Sequence, residues 1–234
     1  MYVKNMIKIK SALELANIID HTNLSNIATR SDIEYLCNQA KHYNFYSVVV
    51  APYYIKYAKS LLNSSSIKLC TVVGFPLGFV NYKVKKKEAK IAIKRGVDEL
   101  DMVVNISALK SGDFETIIKE IEKVRSIAKN KILKVIIEAE LLKKEEIINV
   151  CKIANDVKAD FIKTSTGLSG LSPKVSNINL IRKTVPNMKV KASGGIKNYK
   201  TAFQLIATGV DRIGTSSGDL IMKEYENIHE KLEN

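Results

Sequence analysis

Eight short apolar runs rich in β-branched residues alternate along the chain with longer stretches of helical periodicity, and no other feature constrains the fold as tightly. The runs are Ile18 to His21, Tyr46 to Ala51, Ile67 to Gly74, Glu99 to Asn105, Ile132 to Glu138, Ala159 to Thr164, Met188 to Ser193 and Asp211 to Thr215. Helical patterns fill Ser31 to Tyr43, Pro52 to Leu62, Tyr82 to Arg95, Asp113 to Lys129, Lys143 to Asn155, Ser176 to Thr184, Tyr199 to Ala207 and Asp219 to Leu232. Parallel strands need a helix-length crossover, so this alternation reads as parallel βα units. Eight such units predict an α/β chain closed into a (β/α)8 TIM barrel, whereas a doubly wound sheet would carry a GxGxxG after its first strand and none follows Ile18 to Asp20. Ser31 with Glu34 is expected to form a capping box, Asp113 to cap the helix that has Thr116 in its first turn, and Gly96 and Gly209 to end theirs. Ser11 to Asn17 adds a short helix over the barrel floor.

A length of 234 residues suits one barrel domain spanning 1–234, with a 46% hydrophobic content to fill its core. The first twenty residues hold no apolar run long enough for a signal peptide, and no later segment approaches the roughly 20 apolar residues of a membrane span. A soluble, cytoplasmic protein without a membrane partner is expected. Cys37, Cys70 and Cys151 are far apart and odd in number, which predicts reduced, buried thiols rather than a disulfide framework or a zinc site. The net charge of +13 admits a nucleic-acid surface or a set of helices solvated by lysine. The second reading is favoured, because the lysines sit in helical patterns such as residues 81–95 and lack the interleaved aromatics that base stacking requires. Positive charge would still concentrate a phosphorylated substrate.

The C-terminal ends of barrel strands converge on one mouth. Here they are polar: Asp20, His21 and Thr22; Asp101 and Asn105; Glu138; Lys163 to Gly167; Lys191 to Gly195; and Gly214 to Ser217. Lys163 ends an apolar strand, where burial lowers a lysine's pKa and yields the neutral amine that attack on a carbonyl requires; the plain alternative is a strand-end lysine reaching solvent. Lys191 ends the next run, and adjacent strands lie about 4.8 Å apart, so the two ammonium groups would face each other and repulsion would depress one pKa further; the plain alternative for Lys191 is an exposed strand end. Lys189 shares that face nearer the floor. Asp101, on one face with Val103 and Asn105, can meet both lysines as a proton carrier or as a counter-ion. Gly167, Gly194, Gly195, Gly214, Ser216 and Ser217 follow the sixth to eighth strands, where barrels commonly bind phosphate, and Thr166 lies beside them.

These segments resemble the class I, DeoC-like deoxyribose-phosphate aldolases. The resemblance runs through IDHTNL at 19–24, VVGFPLG at 72–78, VDELDMVVNISALKSGD at 97–113, FIKTSTG at 161–167, VKASGGI at 190–196 and RIGTSS at 212–217. It implies that Lys163 forms a Schiff base, Lys191 perturbs its pKa and Asp101 moves protons. The implied reaction is reversible cleavage of 2-deoxy-D-ribose 5-phosphate to D-glyceraldehyde 3-phosphate and acetaldehyde. No cofactor or metal is implied, since the protonated imine is the electron sink. A homodimer is the implied assembly.

Three departures from the family pattern stand out. Ala51-Pro52 offers no thiol where relatives often have Cys-x-x-Pro, Lys189 replaces a small residue, and the sequence ends KLEN without the terminal tyrosine some members use. A proton relay through water held by Asp101 and Thr166 is expected instead. The rival readings are another Schiff-base barrel, such as a transaldolase or a fructose-bisphosphate-type aldolase, and a basic scaffold whose lysines are structural.

Overall fold

In the computed structural model, which describes residues 9 and 11–233, the eight expected strands form one closed parallel barrel in sequential order. They are β1 (Ile19–Asn23), β2 (Ser47–Val50), β3 (Lys68–Val73), β4 (Glu99–Val103), β5 (Ile132–Ile136), β6 (Phe161–Lys163), β7 (Lys189–Ser193) and β8 (Arg212–Thr215), with β8 pairing back onto β1. Around them run α1 (Ala12–Ala16), α2 (Arg30–Tyr43), α3 (Ile55–Leu61), α4 (Tyr82–Lys94), α5 (Ile106–Lys110), α6 (Phe114–Ala128), α7 (Lys144–Asp156), α8 (Val175–Thr184), α9 (Tyr199–Ile206) and α10 (Gly218–Glu233). Residues 1–8 and 10 of the N-terminal stretch in which no signal peptide is expected, and Asn234 at the end of KLEN, lie outside the described residues. No helix among those described is long and apolar enough to cross a membrane.

Strand side chains alternate between two different environments. Val48, Val50, Leu69, Val73, Leu100, Met102, Leu133, Val135, Ile162, Val190 and Ile213 face outward into one continuous apolar core with α2 Ile33, α6 Ile121 and α8 Ile181. Each fully buried aliphatic contributes roughly 1.5–3 kcal/mol, so this outer layer drives folding. The alternate residues Asp20, Ser47, Cys70, Glu99, Asp101, Lys134, Lys163, Lys191 and Arg212 are equally buried but face the barrel axis. Polar groups in such a place are tolerated only when paired, and their pairing builds the site.

α1 is capped by Ser11, and Ala16 O accepts the Tyr46 N–H at 3.2 Å just before β2, which places this helix at the floor end of the barrel as expected. Asp113 caps α6 through the Thr116 N–H at 3.0 Å, while Gly96 and Gly209 adopt φ of 93° and 83°. The capping box of α2 differs from the expectation. It is formed by Thr29 and Asp32, not Ser31 and Glu34: the Asp32 N–H donates to Thr29 Oγ1 at 3.3 Å and the Thr29 N–H to Asp32 Oδ2 at 2.7 Å. Thr29 is the last extended residue, so Ser31 already lies inside the first turn, where its backbone is helical. β4 also ends earlier than expected. Asn105 leaves the strand face to cap α5, accepting the Ala108 N–H at 3.1 Å; at five residues this helix is too short to show periodicity in sequence.

Thr29→Ala is expected to destabilise the protein by about 1 kcal/mol and Ser31→Ala by less than about 0.5 kcal/mol, as read from urea unfolding midpoints. The opposite ranking would restore the box at Ser31.

Candidate active site

Register alone brings the three reacting candidates together. Lys163 on β6 sits opposite Lys191 on β7, and Asp101 on β4 sits opposite Lys134 on β5. All four side chains point to the axis. Lys163 Nζ and Lys191 Nζ each donate to the same oxygen, Asp101 Oδ2, at 2.9 Å. The other oxygen, Oδ1, accepts from Lys134 Nζ at 2.8 Å and from Cys70 Sγ at 3.2 Å.

The network continues toward the floor. Lys134 also reaches Glu99 Oε2 at 2.5 Å, and Lys191 reaches Asp20 Oδ2 at 2.5 Å. Arg212 joins the two acids, at 3.1 Å from Asp20 Oδ1 and 2.6 Å from Glu99 Oε2, with its guanidinium 3.4 Å from the centre of the Tyr46 ring. Three carboxylates (Asp20, Glu99, Asp101) therefore meet four bases (Lys134, Lys163, Lys191, Arg212) in an almost wholly buried cluster. A dry interior favours a neutral total, which is reached when one base gives up its proton.

Electrostatics selects that base. Burial, helped by the charge of Lys191, lowers the Lys163 pKa against the pull of Asp101. Burial would also lower Lys191, yet Asp101 and Asp20 more than offset it and raise the pKa; Asp101 does the same for Lys134. Burial works to raise Asp101, but the ammonium groups of Lys134, Lys163 and Lys191 hold it well below the usual carboxylate range. Lys163 is thus the amine that parts most easily with its proton. It is also the one among these four bases that lines the large cavity at the barrel mouth, a space of about 1010 Å³.

The other expected residues divide. Thr166, Gly167, Gly194, Gly195, Gly214 and Ser216 line the cavity. Gly194, at φ 103°, must be glycine twice over, since a Cβ would also sit 2.9 Å from Leu171 O. Gly214 lacks a side chain for a packing reason: a Cβ there would come within 2.8 Å of Lys191 Cε. Ser217 does not line the cavity; its N–H is bonded to Thr215 Oγ1 at 2.9 Å and its carbonyl accepts from Ile221 N in the first turn of α10. The Thr166 hydroxyl donates to Glu138 Oε2 at 2.6 Å and accepts the Leu168 N–H at 3.2 Å, so its hydrogen is committed and does not serve the expected water relay. Lys189 is exposed at the start of β7, with Nζ 5.7 Å from the centre of the Phe161 ring, and takes no part in the network. Cys37, Cys70 and Cys151 are free and buried.

Sequence reasoning assigned no role to Lys134, Glu99 or Arg212. Their signal was present: a charged residue inside an apolar strand, at the same alternation as Asp101, Lys163 or Lys191. His21 is different. It faces away from the axis, with Nε2 2.8 Å from Gln39 Oε1 and its ring against Phe45, and burial lowers its pKa.

Three outcomes are expected. Unfolded Lys163 binds its proton more tightly than folded Lys163, so this residue costs stability below its folded pKa, and the cost fades as pH rises toward the ordinary value of about 10.4. Lys191→Met removes the repelling charge and should shift the Lys163 titration upward, read from the pH dependence of its modification by an amine-directed reagent; an unchanged midpoint would show that Lys191 does not tune it. Lys134→Met leaves Glu99 and Asp101 short of a counter-ion, and an unfolding free energy lower by about 3–5 kcal/mol is expected.

The family model for DeoC/LacD family aldolases matches residues 15–218. A deoxyribose-phosphate aldolase of Caldicellulosiruptor saccharolyticus is 49% identical over 215 residues, covering 90% of this chain and 98% of its own length. One from Carboxydothermus hydrogenoformans is 46% identical, covering 91% and 96%. The solved structure of the deoxyribose phosphate aldolase of Aeropyrum pernix, described as a unique tetramer, superposes with a TM-score of 0.87 at 32% identity, covering 93% of each chain. The polar network inside this barrel is thus built on a sequence whose kinship is established over most of its length, and the chain belongs to the DeoC/LacD aldolase family.

Proposed function

We propose that this protein is a deoxyribose-phosphate aldolase, cleaving 2-deoxy-D-ribose 5-phosphate reversibly to D-glyceraldehyde 3-phosphate and acetaldehyde, with Lys163 as the Schiff-base nucleophile. One observation carries the assignment: a buried amine with a lowered pKa opens onto the cavity while sharing a carboxylate oxygen with a second lysine whose pKa is raised. That arrangement favours a neutral nucleophile while keeping on Lys191 a proton that the carbinolamine hydroxyl can take up as it leaves as water.

In this reading Lys163 attacks the aldehyde carbon of the open-chain sugar, and the carbinolamine loses water to form the iminium. Removal of the C3 hydroxyl proton breaks the C2–C3 bond, and the electron pair flows onto the iminium as an enamine while glyceraldehyde 3-phosphate departs. Protonation of the enamine and hydrolysis release acetaldehyde and restore Lys163. Asp101 anchors both amines at Oδ2 and passes protons between them. Its low pKa suits it to transmit a proton rather than to store one. Lys191 keeps its charge and repels a proton from Lys163. The cavity wall around Thr166, Gly167, Gly194, Gly195, Gly214 and Ser216 receives the phosphate through backbone groups. Ser217 is kept with this set in a supporting place, since its peptide N–H fixes the turn after β8.

The same reading takes residues 1–234 as one domain and the enzyme as a cytoplasmic homodimer. Three free buried thiols support a reducing compartment, and sedimentation decides the assembly.

Borohydride reduction in the presence of acetaldehyde is expected to leave an ethyl group on Lys163, detected by peptide mass spectrometry, and an unmodified Lys163 in folded protein would sink the covalent mechanism. Lys163→Leu should abolish cleavage and Lys191→Leu lower kcat by about 10²-fold or more. Preference for fructose phosphates over deoxyribose 5-phosphate would overturn the substrate.

A further inference from the structure

The segment that follows the Lys163 strand is held from outside by two acids of a single neighbouring turn. Glu138 and Glu140 lie just beyond β5, alternating in sequence. Glu138 sits in the left-handed region at φ 49° and ψ 54°, which a non-glycine residue adopts only where its surroundings enforce it. Its buried carboxylate accepts three hydrogen bonds, all from one stretch of chain. The Thr166 N–H and hydroxyl donate to Oε2 at 3.1 and 2.6 Å, and the Ser169 hydroxyl donates to Oε1 at 3.2 Å. Glu140 holds the far end: its Oε1 accepts the Lys174 N–H and the Asn177 amide, both at 2.9 Å.

Between these anchors the segment lies over the glycine turn after β7. Leu171 O and Ser172 Oγ occupy the spaces that a Cβ on Gly194 and on Gly195 would need, while Thr166, Gly167, Leu168 and Gly170 line the cavity. A carboxylate is the wrong charge to place near an anion site, so its presence there has to be explained by geometry. A free loop of this length would have to be ordered afresh with each substrate.

We propose that Glu138, with Glu140 as a second anchor, is a positioning residue that fixes residues 166–174 against the Gly194–Gly195 turn and so sets the preference for a phosphorylated over an unphosphorylated sugar. This rests on the aldolase reading above. The Glu138 carboxylate is hydrogen-bonded to Thr166 and Ser169 and not to the side chain of Lys163 or Asp101, so the covalent chemistry is separable from the phosphate preference it sets.

The full-length protein and its Glu138→Ala, Glu138→Gln and Asn177→Ala variants are compared in three measurements: calorimetric titration with inorganic phosphate, kcat and KM for deoxyribose 5-phosphate and for 2-deoxyribose, and the rate of acetaldehyde trapping on Lys163 by borohydride. Glu138→Ala should weaken phosphate binding and raise KM for the phosphorylated sugar by about 10-fold, leaving the 2-deoxyribose KM and the trapping rate within about 2-fold of wild type. Glu138→Gln should recover most of the loss, since its carbonyl still accepts from Thr166 and the Ser169 hydroxyl can turn to accept from the amide. Asn177→Ala should show a change of the same sign, about 2- to 3-fold, and serves if Glu138→Ala does not fold. An unchanged phosphate affinity, equal effects on both sugars, a fall in trapping rate, or tighter phosphate binding in Glu138→Gln would each overturn the proposal. Wild-type protein that binds phosphate but cleaves no deoxyribose 5-phosphate would refute the aldolase reading alone, and the phosphate titrations would still decide the role of Glu138.

Discussion

The Asp101 carboxylate, buried at the axis of the barrel, is the group on which the rest of the interior depends. It takes three ammonium donors, two on Oδ2 and one on Oδ1, and each donor comes from a different strand. Without its charge, Lys163 would lose its carboxylate partner and Lys134 and Lys191 would each be left with one, three ammonium groups facing one another at the axis. With it, they form a balanced cluster in which the bases paired to a second acid keep their protons and Lys163, paired only to Asp101, is the one biased to lose its own. The lowered pKa of Lys163 is a property of the whole cluster, reached by unequal sharing of counter-charge.

Such an interior is affordable because stability is supplied elsewhere. The outward faces of the strands pack against helices in a continuous apolar layer, while the inward faces of β1 and of β4 to β8 carry charge. A barrel separates these tasks by the two-residue alternation of its strands, so charged residues can accumulate on the axis without entering the apolar layer. Arg212 and Glu99 extend the cluster toward the floor, away from the cavity. They hold Asp20 and Lys134 in place, and through them Lys191 and Asp101.

The mouth is organised by different means. Backbone turns with positive φ at Gly167, Gly194 and Gly195 supply the wall, and the acids beyond β5 fix the loop that lies over them. Rigidity at the mouth comes from hydrogen bonds to the main chain, whereas the amine is tuned by burial and charge. The two halves of the site meet at Gly214, which leaves room for Lys191 on one side and lines the cavity on the other.

By itself the sequence determined the eightfold βα order, the outward apolar faces and the set of polar strand ends, because these follow from periodicity and local propensity. It placed Lys163, Lys191 and Asp101 on adjacent or facing strands, and its familial motifs marked the same residues. Only the tertiary structure decided which groups share the buried charge. Lys134, Glu99 and Arg212 are ordinary charged residues until register turns them inward, since pairing depends on contacts between strands far apart in sequence. Local competition was equally opaque: Thr29–Asp32 and Ser31–Glu34 have the same spacing, and the choice fell to the residue at which the chain leaves its extended conformation. The commitment of the Thr166 hydroxyl to Glu138 was hidden for the same reason, because a hydrogen bond between neighbouring loops leaves no periodic trace in either.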